Sequence, residues 1–298
     1  MKRSEVLEKI FIKPTDIVLE IGPGNMPYHR SDIFLEKDIY NNSERAGDLK
    51  LTRPTIVGDA HNIPLKDKSI DYIFCAQVLE HSDDPECMLK ELMRVGKKGY
   101  IETPNSYREM MFGWPFHKWI VELEENKLVL YRNKLPQYFG RLFHDLQDSE
   151  YSFQLFINEH FEKFNTIFEW EDSIIYEIKD YEDLINKYQS EETYYIKHDS
   201  RNSAVNYDGI LTIGLFLQCI PFLRKWLPRL FLLKSLLQRR FKKRVVLSPE
   251  AIVDRMRCHN CGDYFRTEST GHKYICKSCD NNLTVNGLLI NNSSSNGE

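Results

Sequence analysis

Four cysteines crowd the last fifth of this 298-residue sequence: Cys258-x2-Cys261, fourteen residues, then Cys276-x2-Cys279. Each C-x-x-C pair presents two thiolates from one turn, and the Ser-Thr-Gly between the pairs lets a hairpin bring both turns to one ion. Four thiolates in a tetrahedron suit a structural zinc and leave no open position for chemistry. His259 and His272 stand nearby, but the thiolates already complete the site. Cys75, Cys87 and Cys219 are isolated. In a reducing compartment such crowding points to metal rather than to disulfides.

A second set of chemically suggestive residues lies near the start. IGPGNMP (21–27) holds Gly22 and Gly24, two glycines of a G-x-G-x-x-G loop, with Pro27 where a third glycine would stand. A glycine pair at a strand–helix junction lets backbone N–H groups approach a ligand closely, and the helix N-terminus adds positive potential. A dinucleotide site uses the third glycine to pack helix and strand under a pyrophosphate. Glu20, two places before Gly22, would repel such an anion and suits a ligand carrying an ammonium group.

The elements that must position these residues read as strand, turn, helix, strand. Strands are expected over DIVLEIG (16–22), DIFLE (32–36), PTIVGD (54–59), DYIFCA (71–76) and KGYIETP (98–104), with a helix from Pro85 to Val95. That alternation implies a parallel sheet with helices on both faces.

With these segments in place, VLEIGPGN resembles the first motif of class I S-adenosylmethionine-dependent methyltransferases, and four later segments agree with the family in order, over residues 12 to 105. The resemblance implies a doubly wound, mostly parallel seven-stranded sheet of α/β class, Rossmann-like, closed by an antiparallel pair, TIFEWED and SIIYEIKD, turning at Asp172 and Ser173. It implies a cofactor, S-adenosylmethionine, held by Glu20, Gly22, Gly24, Glu36, Asp59 and Ala60. Glu36 would bind the ribose hydroxyls, with Asp38 as the alternative, and Asp59 would accept from the adenine amine. His81, just past the fourth strand in VLEH, is the candidate general base. The alternative is that its ring orients a loop or caps a helix.

After Asn105 an insert, residues 106–145, is dense in Trp, Phe and His, and NKLVLYRNK reads as a short hairpin strand. Asn105, Trp114, His117 and Trp119 are candidate acceptor-binding residues, since aromatic walls stack on sugar rings and other flat faces. The competing reading is a small packed subcore.

Residues 206–246 interleave Lys and Arg with Leu and Trp226, with apolar positions 226, 230, 233 and 237 on one helical face. Such a segment lies on an anionic membrane surface or packs with a basic face outward, and 209–244 is the stretch expected to make peripheral membrane contact. The apolar run is shorter than a bilayer span and contains Pro221 and Pro228. Net charge is −4, which gives no general attraction to nucleic acid. The charged start MKRSEVLEKI does not read as a secretory signal, so a cytoplasmic protein is expected, with peripheral attachment at the inner face of the membrane as the refinement.

The organisation expected is a methyltransferase domain over 1–205, the basic segment 206–246, a zinc ribbon over 247–290 and a disordered tail 291–298. AIVDRMRC before the first cysteine pair and LTVNGLLI after the last resemble the small zinc-ribbon activator subunit of tRNA, rRNA and translation-factor methyltransferases, although both prolines of its terminal strand are absent here. The function expected is methyl transfer from S-adenosylmethionine to a small-molecule, glycan or lipid-linked saccharide acceptor. The alternatives are an RNA or protein methyltransferase with a fused activator, and a non-catalytic cofactor-binding scaffold.

Overall fold

The computed structural model describes residues 1–45, 47–136, 139–190, 247–267, 273–279 and 281–293. The basic segment 206–246, with Cys219, and His272 lie outside the described residues. The chain forms two compact units, Met1–Ile185 with Val245–Glu298, and Asn186–Arg244, and the candidate site belongs to the first. No helix among the described residues is long and apolar enough to cross a membrane.

The five expected strands form where the apolar runs lie: β1 (Val18–Ile21), β2 (Ile33–Glu36), β3 (Thr55–Val57), β4 (Ile70–Ala76) and β5 (Gly96–Pro104). They are parallel in the order β3-β2-β1-β4-β5, with Leu19 opposite both Ile33 and Ile73. β1 and β2 are buried along their whole length, as strands covered on both faces must be. On one face α1 (Arg3–Lys9) inserts Val6 into a cluster with Val18 and a stack of Tyr28, Phe74 and Tyr100 whose successive ring centroids are 4.2 and 5.0 Å apart. On the other, α2 (Pro85–Val95) lays Met88, Leu89, Leu92 and Val95 on the sheet. Asp84 caps α2 by accepting from Cys87 N–H, and Pro85 occupies the first turn, where its missing N–H costs nothing.

The insert forms α3 (Ser106–Phe112) and a hairpin of β6 (Trp119–Glu124) and β7 (Lys127–Arg132), so the expected hairpin strand is present. Its two-residue turn, Glu125 and Asn126, has φ of 46° and 65°, the left-handed geometry that matches strand twist. β8 (Asn165–Glu171) runs antiparallel to β5, with Glu102 opposite Ile167. The expected closing pair is corrected in one respect. Asp172 turns with φ of 62°, but β9 (Tyr176–Lys179) leaves β8 and pairs in parallel with β7, Leu130 opposite Ile178. A three-stranded sheet β6-β7-β9 results.

The main sheet has ten strands rather than seven, because the cysteine-rich segment joins it. β10 (Phe265–Thr267), β11 (Lys273–Cys276), β12 (Asn282–Asn286) and β13 (Leu289–Ser293) form an antiparallel meander, and β13 pairs in parallel with β3. Ile290 faces Ile56, and Thr55 N–H donates to Leu288 O at 2.7 Å. Residues 291–293, expected in a disordered tail, continue β13, since Asn291 finds its partner in Val57. The short helix Pro249–Val253 and the following turn extend the docking: Lys66 N–H donates to Arg255 O, and Ile252, Val253, Met256, Leu283 and Ile290 share one core with Ile56, Ile63 and Leu65. An edge strand of unpaired N–H and C=O groups is thereby covered.

Shared packing has a measurable consequence. Ile290→Ala, at a fully buried position, should cost about 2–5 kcal/mol. It should lower one cooperative thermal transition followed by near-UV circular dichroism. Two transitions, with only the ribbon's shifted, would show that the two parts unfold independently.

Candidate active site

β1 delivers the chain into the glycine loop at the carboxyl ends of the parallel strands. Gly22 has φ of 61°, and a Cβ there would stand 2.7 Å from Val78 Cγ2, so only glycine allows this turn to lie against the segment after β4. Gly24 has φ of 58° and open space within 4 Å of where its Cβ would be. Glu20, 4% exposed, turns its carboxylate to the loop itself: it accepts from Tyr28 N–H with both oxygens at 3.0 Å and from Ser31 Oγ at 2.6 Å. Burial pushes Glu20 from 4.5 up to about 7, against the lowering effect of the Ser31 and Tyr28 bonds.

β2 ends at Glu36, and Asp38 lies two residues beyond the strand. Glu36 is buried at the strand end and pairs with Arg45 Nη2 at 2.8 Å. Asp38 instead accepts from the N–H groups of Tyr40 and Asn41, closing an exposed turn. After β3, Asp59 pairs with Lys37 Nζ at 2.8 Å and holds His61 through its ring Nδ1 at 2.5 Å and its backbone N–H at 2.9 Å. His61 Nε2 in turn meets Ser82 Oγ at 2.7 Å. Partial burial opposes ionisation of Asp59, but Lys37 and His61 outweigh it and bring the carboxyl down to about 2. Ala60 packs against the core beside them. Glu36, Asp59 and the glycine loop thus line neighbouring strand ends, where open parallel sheets bind ligands.

β4 ends in strain: Gln77 has φ of 58° and its N–H donates to Glu102 O at 2.7 Å. A short 3-10 turn, Leu79–His81, follows. Glu80 is fully buried and neither carboxylate oxygen has a hydrogen-bond partner. Burial holds its carboxyl well above the usual range. The insert packs directly on this turn, with Lys118 N–H donating to Glu80 O at 2.7 Å and Trp119 Nε1 to Ser82 O at 2.8 Å. His117 is carried against His81 by that packing, with ring centroids 4.6 Å apart, and Phe116 stacks on His81 at 5.4 Å. His117 Nδ1 lies 2.6 Å from Glu109 Oε1. Burial lowers the His117 imidazolium to about 3 and, with His117 beside it, the His81 imidazolium to about 4. Both rings are neutral at pH 7.

A cavity of about 210 Å³ opens beside this group, lined by Gly113, Trp114, Pro115, His117, Asn133 and Leu135. Of the residues expected at an acceptor pocket, Trp114 and His117 line it. Asn105 instead caps α3 through Arg108 N–H and donates to Lys163 O, and Trp119 is a core residue 3% exposed. Sequence reasoning missed His61, Glu109 and Arg45; the Asp59-x-His61 spacing was the one local sign available.

At the other end of the sheet the four cysteines converge, their sulfurs all within 4.8 Å of one another. Cys258 and Cys279 sulfurs are 3.5 Å apart and those of Cys261 and Cys276 3.3 Å, too long for disulfide bonds and close to the roughly 3.8 Å that a tetrahedron of 2.3 Å zinc–sulfur bonds requires. Burial would raise the Cys258 thiol, but the N–H groups of Cys261 and Asn260 bring it down to about 7. Gly262, with φ of 78°, closes the first knuckle by donating to Cys258 O. The donor set fits a structural zinc.

Residues 34–101 match a family model described as a methyltransferase domain. Among solved structures, the complex between the Haloferax volcanii Trm112 methyltransferase activator and a methyltransferase is 14% identical, with 58% of this chain and 88% of that chain covered at a TM-score of 0.36. A Bacillus halodurans methyltransferase is 14% identical over 34% of this chain and 50% of its own, TM-score 0.29. A Thermotoga maritima methyltransferase, described as a histamine N-methyltransferase candidate, is 22% identical over 38% and 59%, TM-score 0.29. The chain thus spans between half and three fifths of the last two. No curated protein matches the sequence. The matched segment is similar to a methyltransferase domain, and the parallel order β3-β2-β1-β4-β5 gives the chain the Rossmann-like sheet of that fold.

Glu20 gives the site a pH signature. The unfolded carboxyl ionises near 4.5 and the folded one near 7, so the native state holds the proton longer and stability falls as pH rises between those values. The size is on the order of 3 kcal/mol from this group. Glu20→Gln should flatten that decline in urea unfolding at pH 5 and 7.5; an unchanged difference would place the pH dependence elsewhere.

Proposed function

We propose that this protein is an S-adenosylmethionine-dependent methyltransferase acting on a hydroxyl oxygen of a saccharide-class acceptor, free or lipid-linked, entering beside Trp114 and His117. The observation that carries the reading is the cavity whose walls combine an aromatic face with neutral imidazole, its His117 packed on His81 of the turn after β4. Indole faces stack on the apolar side of a sugar ring, and neutral ring nitrogens accept from its hydroxyls.

S-adenosylmethionine, when bound, supplies a methyl carbon on a sulfonium whose leaving group is a neutral thioether. Gly24 leaves open space for such a ligand, and Glu36 at the end of β2 is the acid for ribose hydroxyls, exchanging Arg45 for them. Asp59, kept ionised by Lys37 and His61, is the acceptor for an adenine amine beside Ala60. Glu20 fixes the loop's shape from beneath through Tyr28 and Ser31, so that the carbonyls and N–H groups above it meet the amino-acid end. Positioning supplies much of the rate in such a displacement. An alcohol also has to lose its proton, and His81 is the group proposed to take it. Its ring is deprotonated at neutral pH but, at about 4, is a weak base.

The cysteine ribbon is proposed to bind one structural zinc and to act as a covalently attached stabiliser of the β3 edge. That agrees with its resemblance to the activator subunit, here joined to its own enzyme. The basic segment 206–246 is proposed to hold the protein at an anionic membrane surface, on its sequence alone. RNA or protein as acceptor remains the second reading, favoured only by that resemblance.

The test is calorimetric titration with S-adenosylmethionine, then methyl-³H transfer into lipid, glycan, RNA and protein fractions. Label is expected in the glycan or lipid-glycan fraction. Gly22→Ala should weaken donor binding about tenfold or more, since a left-handed alanine costs about 1–2 kcal/mol before its clash with Val78 is counted. Tight donor binding with no labelled product in any fraction would favour a scaffold over an enzyme, and label in RNA or protein would overturn the saccharide reading.

A further inference from the structure

The turn after β4 and the aromatic insert together gather three groups of metal-ligating type, Glu80 and His117 buried and His81 half-buried. Ligand atoms of Glu80, His81 and His117 all lie within 4.8 Å of one another, and His81 Nε2 stands 4.0 Å from Glu80 Oε1. Glu80 is 0% exposed with both oxygens unpartnered, which is costly unless something on this side of the turn meets them. Arg108 is a nearby cation, but its Nη1 donates to Asn165 Oδ1 at 2.7 Å and its Nε has no partner, so it does not satisfy Glu80.

The surroundings of the two rings add an independent argument. Glu109 Oε1 holds His117 Nδ1 at 2.6 Å, and Glu109 is itself 1% exposed. With Nδ1–H donating to Glu109, Nε2 would keep its lone pair for an ion, the carboxyl–histidine arrangement that orients metal-bound imidazoles. His81 differs in that its Nδ1, 3.3 Å from Glu44 Oε2, lacks hydrogen-bond geometry, but its other nitrogen is the one facing Glu80. His117 also lines the cavity, so an ion held here would have coordination positions turned toward an incoming molecule.

We propose that Glu80, His81 and His117 form a second metal site, distinct from the cysteine cluster, that binds one divalent first-row transition ion with open positions facing the cavity. One carboxylate and two imidazoles suit manganese, iron, cobalt or zinc rather than the thiolate-bound ion of the ribbon. The ion would ligate a hydroxyl of the acceptor through its oxygen and ease loss of that hydroxyl's proton to solvent, as metal ions do for bound water. His81 then serves as a ligand, which removes the difficulty of its weak basicity. This role rests on the proposed oxygen acceptor; the ion site itself does not.

The test uses the full chain, titrated with MnCl2 while free Mn²⁺ is read by its electron paramagnetic resonance signal. One equivalent should bind. Glu80→Gln and His117→Asn should each lose it, and Glu109→Gln, which touches no ion, should weaken it by roughly 10–100-fold. S-adenosylmethionine calorimetry on each variant reports folding and donor binding separately, so failure of the donor reading and of the ion site are distinguishable. A readout free of ligand substitutions is quenching of tryptophan emission by Co²⁺: Trp114 lies 4.8 Å from the His117 ring, and Trp114→Phe should remove most of the quenching. No bound Mn²⁺ and no Co²⁺ quenching in the wild type, or binding unchanged in the Glu80 and His117 variants, would overturn the site.

Discussion

The constraint on which the site depends is the parallel pairing of β1 with β2 on one side and β4 on the other. Because the order turns back at β1, the loops after β1 and β4 leave the sheet at the same end and must pass each other closely. The 2.7 Å that a Gly22 Cβ would leave to Val78 measures how close. That approach links the donor loop to the turn bearing Glu80 and His81, since Val78 immediately precedes the turn. It also explains why strain collects there. Gln77 and Gly22, on facing loops, both sit at left-handed φ.

The second consequence is at the sheet's edge. β3 is only three residues long, so β2 alone gives it few ladder bonds. β13 gives it a parallel partner, while Met256 and Ile252 give the residues behind it a continuous core. Asp59 follows directly from β3, so the ribbon's docking at Val57 is two residues from a residue proposed to bind the donor. Stability supplied at Ile56 and Ile290 therefore bears on how the strand leading to Asp59 is held.

Much of this was legible in the sequence, for physical reasons. β1 to β5 are apolar runs bounded by Gly, Pro and Asp, and α2 carries both its cap, Asp84, and a first-turn proline. The cysteine spacing implied convergence of four sulfurs, and they do converge. Pairing partners were harder. SIIYEIKD shows a strand pattern, but period-two alternation does not say which edge it joins, and β9 chose β7 over β8. LTVNGLLI likewise reads as a hairpin with Gly287 in its turn, yet nothing in it names β3. Trp119 looked like a pocket residue because composition does not distinguish a lining indole from a packed one. His117 meets Glu80 only through the bond from Lys118 N–H to Glu80 O, a tertiary contact with no local signature.

The central claim is that one crevice, formed where β1 separates β2 from β4, holds the methyl donor. Hydrogen–deuterium exchange with and without S-adenosylhomocysteine tests it most directly. The account requires protection confined to residues 20–27, 36–38, 59–62 and 77–82, four segments brought together only by this fold. Unchanged exchange in all four, or protection limited to the ribbon or the aromatic insert, would contradict it.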